Sequence, residues 1–289
     1  MEASSMKNQP GPDLSLLARQ WGATAVPFRQ MAWLSTPHSQ RAGALLDQAA
    51  ALRSVVLLDG PNGVGKSALV GRWVHQLEPR LYRPLRLTHA SLSGSGVLHA
   101  LTAQLGKPAS GIRAKNLARI EAALGELGAI VPVIVLDEAQ HYSVSSLDEV
   151  RLLLGINLAE PSAFALILIG DEYLLSSLRL RHQRALFSRI SGHCRLPAWS
   201  REEVREYLRA SLAAVGIERE AIEPAATALL TSASGGLARS LCLLARSAWI
   251  SAARAGATTV SAAHVQEAIE AVPGAAGLSM PPSRCETEP

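Results

Sequence analysis

Residues 55–67 read VVLLDGPNGVGKS. Val55, Val56, Leu57 and Leu58 form a short apolar run with β-branched residues, the pattern of a buried strand in a parallel sheet. The run stops at Asp59-Gly60, and from Gly60 the chain fits G-x-x-x-x-G-K-[ST]. Residues 68–77 then alternate apolar and polar side chains at helical spacing. Strand, glycine loop and helix follow one another as a phosphate-binding loop requires. Gly60, Gly63 and Gly65 let backbone N–H groups converge where a side chain would block a phosphate. The helix opening at Gly65 directs its positive end to the same point. Lys66 can reach the β- and γ-phosphates of a nucleotide, and the Ser67 hydroxyl can ligate Mg²⁺. The nucleotide-binding set is therefore Gly60, Pro61, Asn62, Gly63, Val64, Gly65, Lys66, Ser67 and Ala68. The plainer alternative is a glycine-rich strand-to-helix turn with an incidental lysine.

The chain around this loop has 289 residues, 48% of them hydrophobic, enough for a large core. No apolar run reaches the length of a membrane span, and the first residues, MEASSMKNQPGPD, lack a signal-peptide pattern. Cys194, Cys242 and Cys285 are scattered and odd in number, which suits a reducing compartment and gives no zinc-ligand spacing. These features lead us to expect a soluble cytoplasmic protein with no membrane partner. The formal charge of +4 allows nucleic acid as a partner. With aromatic residues at only 4%, base stacking is not the expected binding mode.

Residues 85–90, 131–136, 164–169 and 193–196 read as four further strands. Residues 40–52, 97–105, 115–127 and 146–154 read as helices, and 174–181 and 183–190 as helices or turns. Alternating strands and helices mean a parallel sheet covered on both faces. Residues 22–36 are apolar without clean periodicity and read as a segment packed on the edge of this domain. From Ser200 every segment looks helical: 201–215, 224–232, 238–255 and 261–271. Ser200 with Glu203 forms a capping box, and Ser261 can cap the last helix. The expected layout is a flexible segment 1–20, an α/β nucleotide-binding domain 21–197, a small all-α domain 198–272 and a disordered tail 273–289.

Residues 133–138, VIVLDE, are four apolar residues followed by two carboxylates at a strand end. In a phosphate-loop fold that strand end lies beside the phosphates. Asp137 would hold Mg²⁺ through its waters, and Glu138 would act as the general base on the attacking water. The plainer reading is a solvated strand end. His141, Tyr142, Trp73, Trp199 and Trp249 read as packing residues.

The domain resembles an AAA+ ATPase, and more narrowly the ExeA-type ATPases, which include the cytoplasmic part of general secretion pathway protein A. It is similar also to the TnsC/TniB-like transposition ATPases. The resemblance is carried by VIVLDEAQHYS (133–143), LDEVRLLLGINL (147–158), ALILIGDEYLLSSL (165–178), ALFSRI (185–190) and SGGLARSLCLLARSA (234–248). It implies a three-layer αβα domain with a five-stranded parallel sheet and a helical lid. It implies also that ATP with Mg²⁺ is the ligand. Asp171 falls where the family carries a polar sensor, commonly a glutamine, asparagine or threonine, so an acid there is a departure. Arg189 falls at the arginine finger that acts on a neighbouring subunit, with Arg184 as the fallback, and Arg239 matches the second sensor. Each arginine is otherwise an ordinary surface residue. Arg113, Lys115 and Arg119, and separately Arg179, Arg181 and Arg184, are candidate contacts to double-stranded DNA or else solvated helix faces.

The resemblance carries three functional readings. In the first, the protein is a transposition regulator that forms a ring or helical homo-oligomer on DNA with ATP and recruits a transposase, with a target-selection protein as a further partner. In the second it is a secretion or envelope-assembly ATPase. Such proteins continue into a membrane span and a cell-wall-binding region, so a chain ending at Pro289 is expected to be of the first kind. In the third it is a nucleotide-gated scaffold with negligible hydrolysis.

Overall fold

The computed structural model describes residues 13–29, 32–87, 93–155 and 162–272. The expected tail 273–289, most of the expected flexible segment 1–20 and the last residues of the expected strand 85–90 lie outside them. The chain runs through α1 (Leu14–Gln20), α2 (Pro37–Leu52), β1 (Val55–Asp59), α3 (Lys66–Gln76), β2 (Tyr82–Leu87), α4 (Gly94–Gln104) and α5 (Arg113–Glu126). It continues through β3 (Val131–Leu136), α6 (Val144–Leu153), β4 (Ala165–Ile169), α7 (Leu174–Leu178), α8 (Arg184–Phe187) and β5 (Ile190–Arg195). It closes with α9 (Arg201–Ala213), α10 (Pro224–Ser234), α11 (Ala238–Arg254) and α12 (Ala262–Ala271). The described residues fall into two compact units: those within Ser35–Pro197, and those before Ser35 together with those from Ala198 onward.

In the first unit all five strands are parallel, in the order β2-β3-β4-β1-β5. β1 and β4 are buried along their whole length, as strands covered on both faces must be. Leu57, Ile134, Leu136, Leu166 and Leu168 share a core with Leu98 and Leu101 of α4, Ile120 of α5 and Val150 of α6. Leu45 of α2 approaches Gly192 of β5 beside Val56, so α2 covers the opposite face. Trp73 Nε1 donates to Asp47 Oδ1 at 2.7 Å and ties α3 to α2. Thr36 and Ser39 cap α2 reciprocally, with Pro37 at its first turn. This is the three-layer parallel architecture expected of the AAA+ class. β1 lies between β4 and β5, and β3 lies beyond β4, so the ends of β1, β3 and β4 open on one side of the sheet.

β2 begins at Tyr82, earlier than expected, because its Pro84 sits on an outer strand where a missing N–H is tolerated. The Val131 and Asp137 amides donate to the Leu81 and Leu87 carbonyls, so the odd positions of β2 face β3 and the even ones face outward. The Tyr82 N–H is taken by the Glu78 carbonyl at 2.9 Å. The Arg86 N–H donates to Gln104 Oε1 at 2.9 Å, and Gln104 Nε2 returns a bond to the Arg86 carbonyl at 2.6 Å. β5 also begins early, at Ile190, because α8 ends at Phe187.

The second unit is helical and is built around Tyr207, Trp249 and Leu241, all fully buried. Its core corrects the expected layout. Leu17, Ala18, Trp21, Ala23, Phe28 and Leu34 pack here and not on the edge of the α/β unit. Trp21 meets Trp249 edge-on at 6.1 Å, the Thr24 N–H donates to the Val215 carbonyl at 2.8 Å, and Cys242 Sγ donates to the Phe28 carbonyl at 3.2 Å. These contacts are anchored by sequence-distant residues, so no local periodicity announces them. Ser200 and Glu203 form the expected capping box at 3.2 and 2.7 Å. At α12 the reciprocal partner of Ser261 is His264, whose Nδ1 accepts the Ser261 N–H at 3.1 Å.

Candidate nucleotide-binding site

β1 delivers the chain to Gly60, whose φ of 148° and whose contact with the Leu196 carbonyl leave no room for a Cβ. The Leu196 N–H donates to the Asp59 carbonyl at 2.8 Å, so the loop is pinned against the end of β5. At that root Asp59 Oδ1 lies 3.1 Å from His193 Nε2, a pair the sequence reading did not anticipate. Gly63 and Gly65 also hold positive φ, and Gly65 is the N-cap of α3 with no side chain spent on capping. The first-turn N–H groups of α3 are thus left for an anion.

Lys66 is buried, and its ammonium donates to the Gly60 and Pro61 carbonyls at 2.7 and 3.0 Å. Burial pushes its pKa below the usual lysine value. The charges of Glu138, Glu172, Asp171 and Asp137 oppose that shift. Glu172 belongs to this group of carboxylates and was not singled out from sequence.

Ser67 Oγ donates to Asp137 Oδ1 at 3.0 Å, and the same oxygen accepts the Glu138 N–H at 3.0 Å. A hydroxyl and a carboxylate are the hard oxygen donors Mg²⁺ prefers. Among the described residues no three of His, Cys, Asp and Glu gather as a metal site. The Ser67–Asp137 pair could hold a magnesium that takes its other ligands from phosphates and water.

Glu138 has φ 53° and ψ 46°, a left-handed conformation that costs a non-glycine residue about 1–3 kcal/mol. The 3₁₀ turn Ala139–His141 that follows fixes this bend, with the His141 N–H on the Glu138 carbonyl at 3.0 Å. Asp171 follows β4, and its Oδ1 accepts the N–H groups of Tyr173 and Leu174 at 3.0 and 3.1 Å. That carboxylate caps α7. Tyr142 is a packing residue, as expected: it is buried and donates to the Leu87 carbonyl at 3.0 Å. Burial, aided by the Asp137 charge, pushes its pKa up to about 12.

The remaining arginines are spread over both units. Arg189 is exposed in the turn before β5, and its Nη1 donates to the Arg151 carbonyl at 3.1 Å, near the end of α6. Arg184 is exposed at the start of α8. Arg239 is exposed in the first turn of α11, in the helical unit. Arg113 forms a two-pronged ion pair with Glu149 at 2.6 and 2.8 Å, which raises its pKa. Arg119 Nη1 donates to the Pro108 carbonyl at 2.6 Å, while Lys115 is exposed. Arg179 lies over the Phe187 ring at 5.9 Å, and Arg181 is exposed.

Residues 50–178 match the family model described as AAA domain, a stretch that runs from the end of α2 through α7. The glycine loop and four of the five parallel strands lie within this stretch, which is similar to an AAA domain and spans just under half of the chain. Among curated proteins, general secretion pathway protein A of Aeromonas hydrophila is 32% identical over 120 residues, which is 42% of this chain and 22% of that protein. Solved structures that share the fold include two from Aeropyrum pernix. The Aeropyrum pernix ORC2 protein, in ADPNP–ADP complexes, is 18% identical with a TM-score of 0.63, covering 87% of this chain and 71% of that one. The Aeropyrum pernix ORC1 protein, in complex with DNA, is 20% identical with a TM-score of 0.64, covering 90% and 69%.

Proposed function

We propose that this chain is an ATPase that binds ATP with Mg²⁺ on the Gly60–Ala68 loop and hydrolyses it slowly in a homo-oligomer. In this reading it assembles on double-stranded DNA in the ATP state and regulates transposition, recruiting a transposase to a marked target site from the cytoplasm. The observation that carries the ATPase reading is the joining of Ser67 to Asp137 beside a buried lysine ringed by carboxylates. Lys66 binds the terminal phosphates, Ser67 and Asp137 orient the metal, and Glu138 accepts the proton of the attacking water. Bound magnesium supplies the charge that offsets the phosphates. Arg189 completes the site of the next subunit, and Arg239 senses the γ-phosphate. Asp171 serves this site as the residue that sets the end of β4.

Support for DNA comes from the formal charge of +4 and from the ORC1 neighbour solved with DNA. Among the described residues no helix is long and apolar enough to cross a membrane. Anisotropy with arbitrary duplex, in Mg²⁺ with ATP analogue, ADP or no nucleotide, tests the proposal across a salt series. Cooperative binding that needs the ATP analogue and weakens with salt is expected. Arg113 is held by Glu149, so the contacts should fall on Lys115, Arg179 and Arg181. Arg181→Ala should flatten the salt slope by about one unit for each phosphate that Arg181 neutralises, and Arg113→Ala should not. Absence of binding in every nucleotide state would reject the DNA reading.

A second reading, an energy module for secretion or envelope assembly, is favoured by the 32% match to general secretion pathway protein A. It predicts ATPase activity that duplex DNA leaves unchanged.

A further inference from the structure

Glu138 follows β3 and Asp171 follows β4, and one side chain spans them. Gln140 Nε2 donates to Glu138 Oε2 at 2.7 Å, and Gln140 Oε1 accepts the Asp171 N–H at 3.3 Å. A primary amide carries a donor and an acceptor at one tip, so it can serve a carboxylate and a backbone N–H together. The backbone on both sides is already fixed. The Glu138 N–H is held by Asp137 Oδ1, and the Glu138 carbonyl is held by His141. The side chain of Glu138 is the freedom that remains, and Gln140 removes it. Across the gap stands Gly170. A Cβ there would lie 2.8 Å from Gln140 Oε1 and would collide with Leu174.

We propose that Gln140 is a positioning residue that keeps the Glu138 carboxylate in register with the Gly170–Asp171 turn. The aim of the base then depends on where the end of β4 stands. Asp171 Oδ1 caps α7, and the chain beyond α7 leads to Arg179, Arg181, Arg184 and Arg189. A shift in that stretch, such as contact with a second copy would impose, moves the Asp171 amide and with it the base. The proposal rests on the reading of Glu138 as the base for ATP hydrolysis.

The test compares wild type with Gln140→Leu, Gln140→Glu and Gly170→Ala in ATP turnover and in binding of a fluorescent ATP analogue, with and without duplex DNA. Melting curves accompany each variant. Gln140→Leu should lower turnover about tenfold to a hundredfold while ATP affinity stays within about twofold. Gly170→Ala, which pushes Gln140 away from the other side, should show the same split. Gln140→Glu replaces the donor by a second carboxylate and should lower turnover at least as far as Gln140→Leu at neutral pH, with ATP affinity again little changed. Gln140 variants that turn over ATP at the wild-type rate would overturn the proposal. Absence of turnover in wild type would overturn the ATPase reading, and this proposal with it.

Discussion

Ser67 and Asp137, seventy residues apart in sequence, meet through a 3.0 Å hydrogen bond from Ser67 Oγ to Asp137 Oδ1. One residue lies in the first turn of the helix after β1 and the other directly follows β3, so the bond measures the alignment of two strand ends. Asp137→Asn keeps the shape and removes the charge. We expect it to lower the Mg²⁺-dependent gain in ATP affinity about tenfold to a hundredfold, with Mg²⁺-free binding little changed. Titrating a fluorescent nucleotide with and without Mg²⁺ checks this, and an undiminished Mg²⁺ effect would remove Asp137 from the metal site.

Lys66 is held by two carbonyls of its own loop, and its buried charge is opposed by desolvation. Lys66→Ala should reduce ATP affinity about tenfold to a hundredfold, the range for losing a charged hydrogen-bond partner. The fold should survive, because the glycine backbone and its contact with Leu196 are independent of the side chain. Calorimetric titration gives the affinity and a melting curve gives the fold. Retained affinity would mean that the phosphates bind elsewhere.

Arg189 lies exposed in the turn before β5, and its Nη1 donates to the Arg151 carbonyl of its own chain. If it serves a neighbouring subunit, Arg189→Ala should bind ATP normally and hydrolyse it about a thousandfold more slowly. Mixing with Lys66→Ala subunits, which bind ATP weakly but keep the arginine, should restore turnover. A mixture no more active than its parts would show that Arg189 does not act across an interface.

Tyr142 provides a pH signature. Its pKa is pushed up to about 12 by burial, while an unfolded tyrosine titrates near 10. The neutral phenol therefore stabilises the fold fully below pH ~10, and that contribution is lost as pH rises through about 12. The difference is on the order of 2 kcal/mol. Urea unfolding from pH 8 to 12 should show wild type losing more stability than Tyr142→Phe above pH ~10. Parallel curves for the two proteins would contradict the assignment.

The phosphate loop was legible in the sequence because strand, turn and helix are contiguous there, and each part has its own local pattern. The acids after β3 were legible for the same reason. Gln140 lay in plain sight in the run Asp137-Glu138-Ala139-Gln140, yet its role depends on the amide of Asp171, which only the pairing of β3 with β4 brings near. The left-handed bend at Glu138 was not legible either, since no propensity favours it there. Trp21 and Phe28 were assigned to the wrong unit because their partners, Trp249 and Cys242, lie more than two hundred residues away. Periodicity carries no information at that range.

Three backbone positions on the outer side of β2 are each accounted for. Tyr82 is bonded to Glu78, Pro84 has no proton to give, and Arg86 is occupied by Gln104. A free row of amides at a sheet margin is the template on which foreign chains polymerise irreversibly. This protein offers none at β2. A second copy brought against that margin meets no open donor on which to extend the sheet.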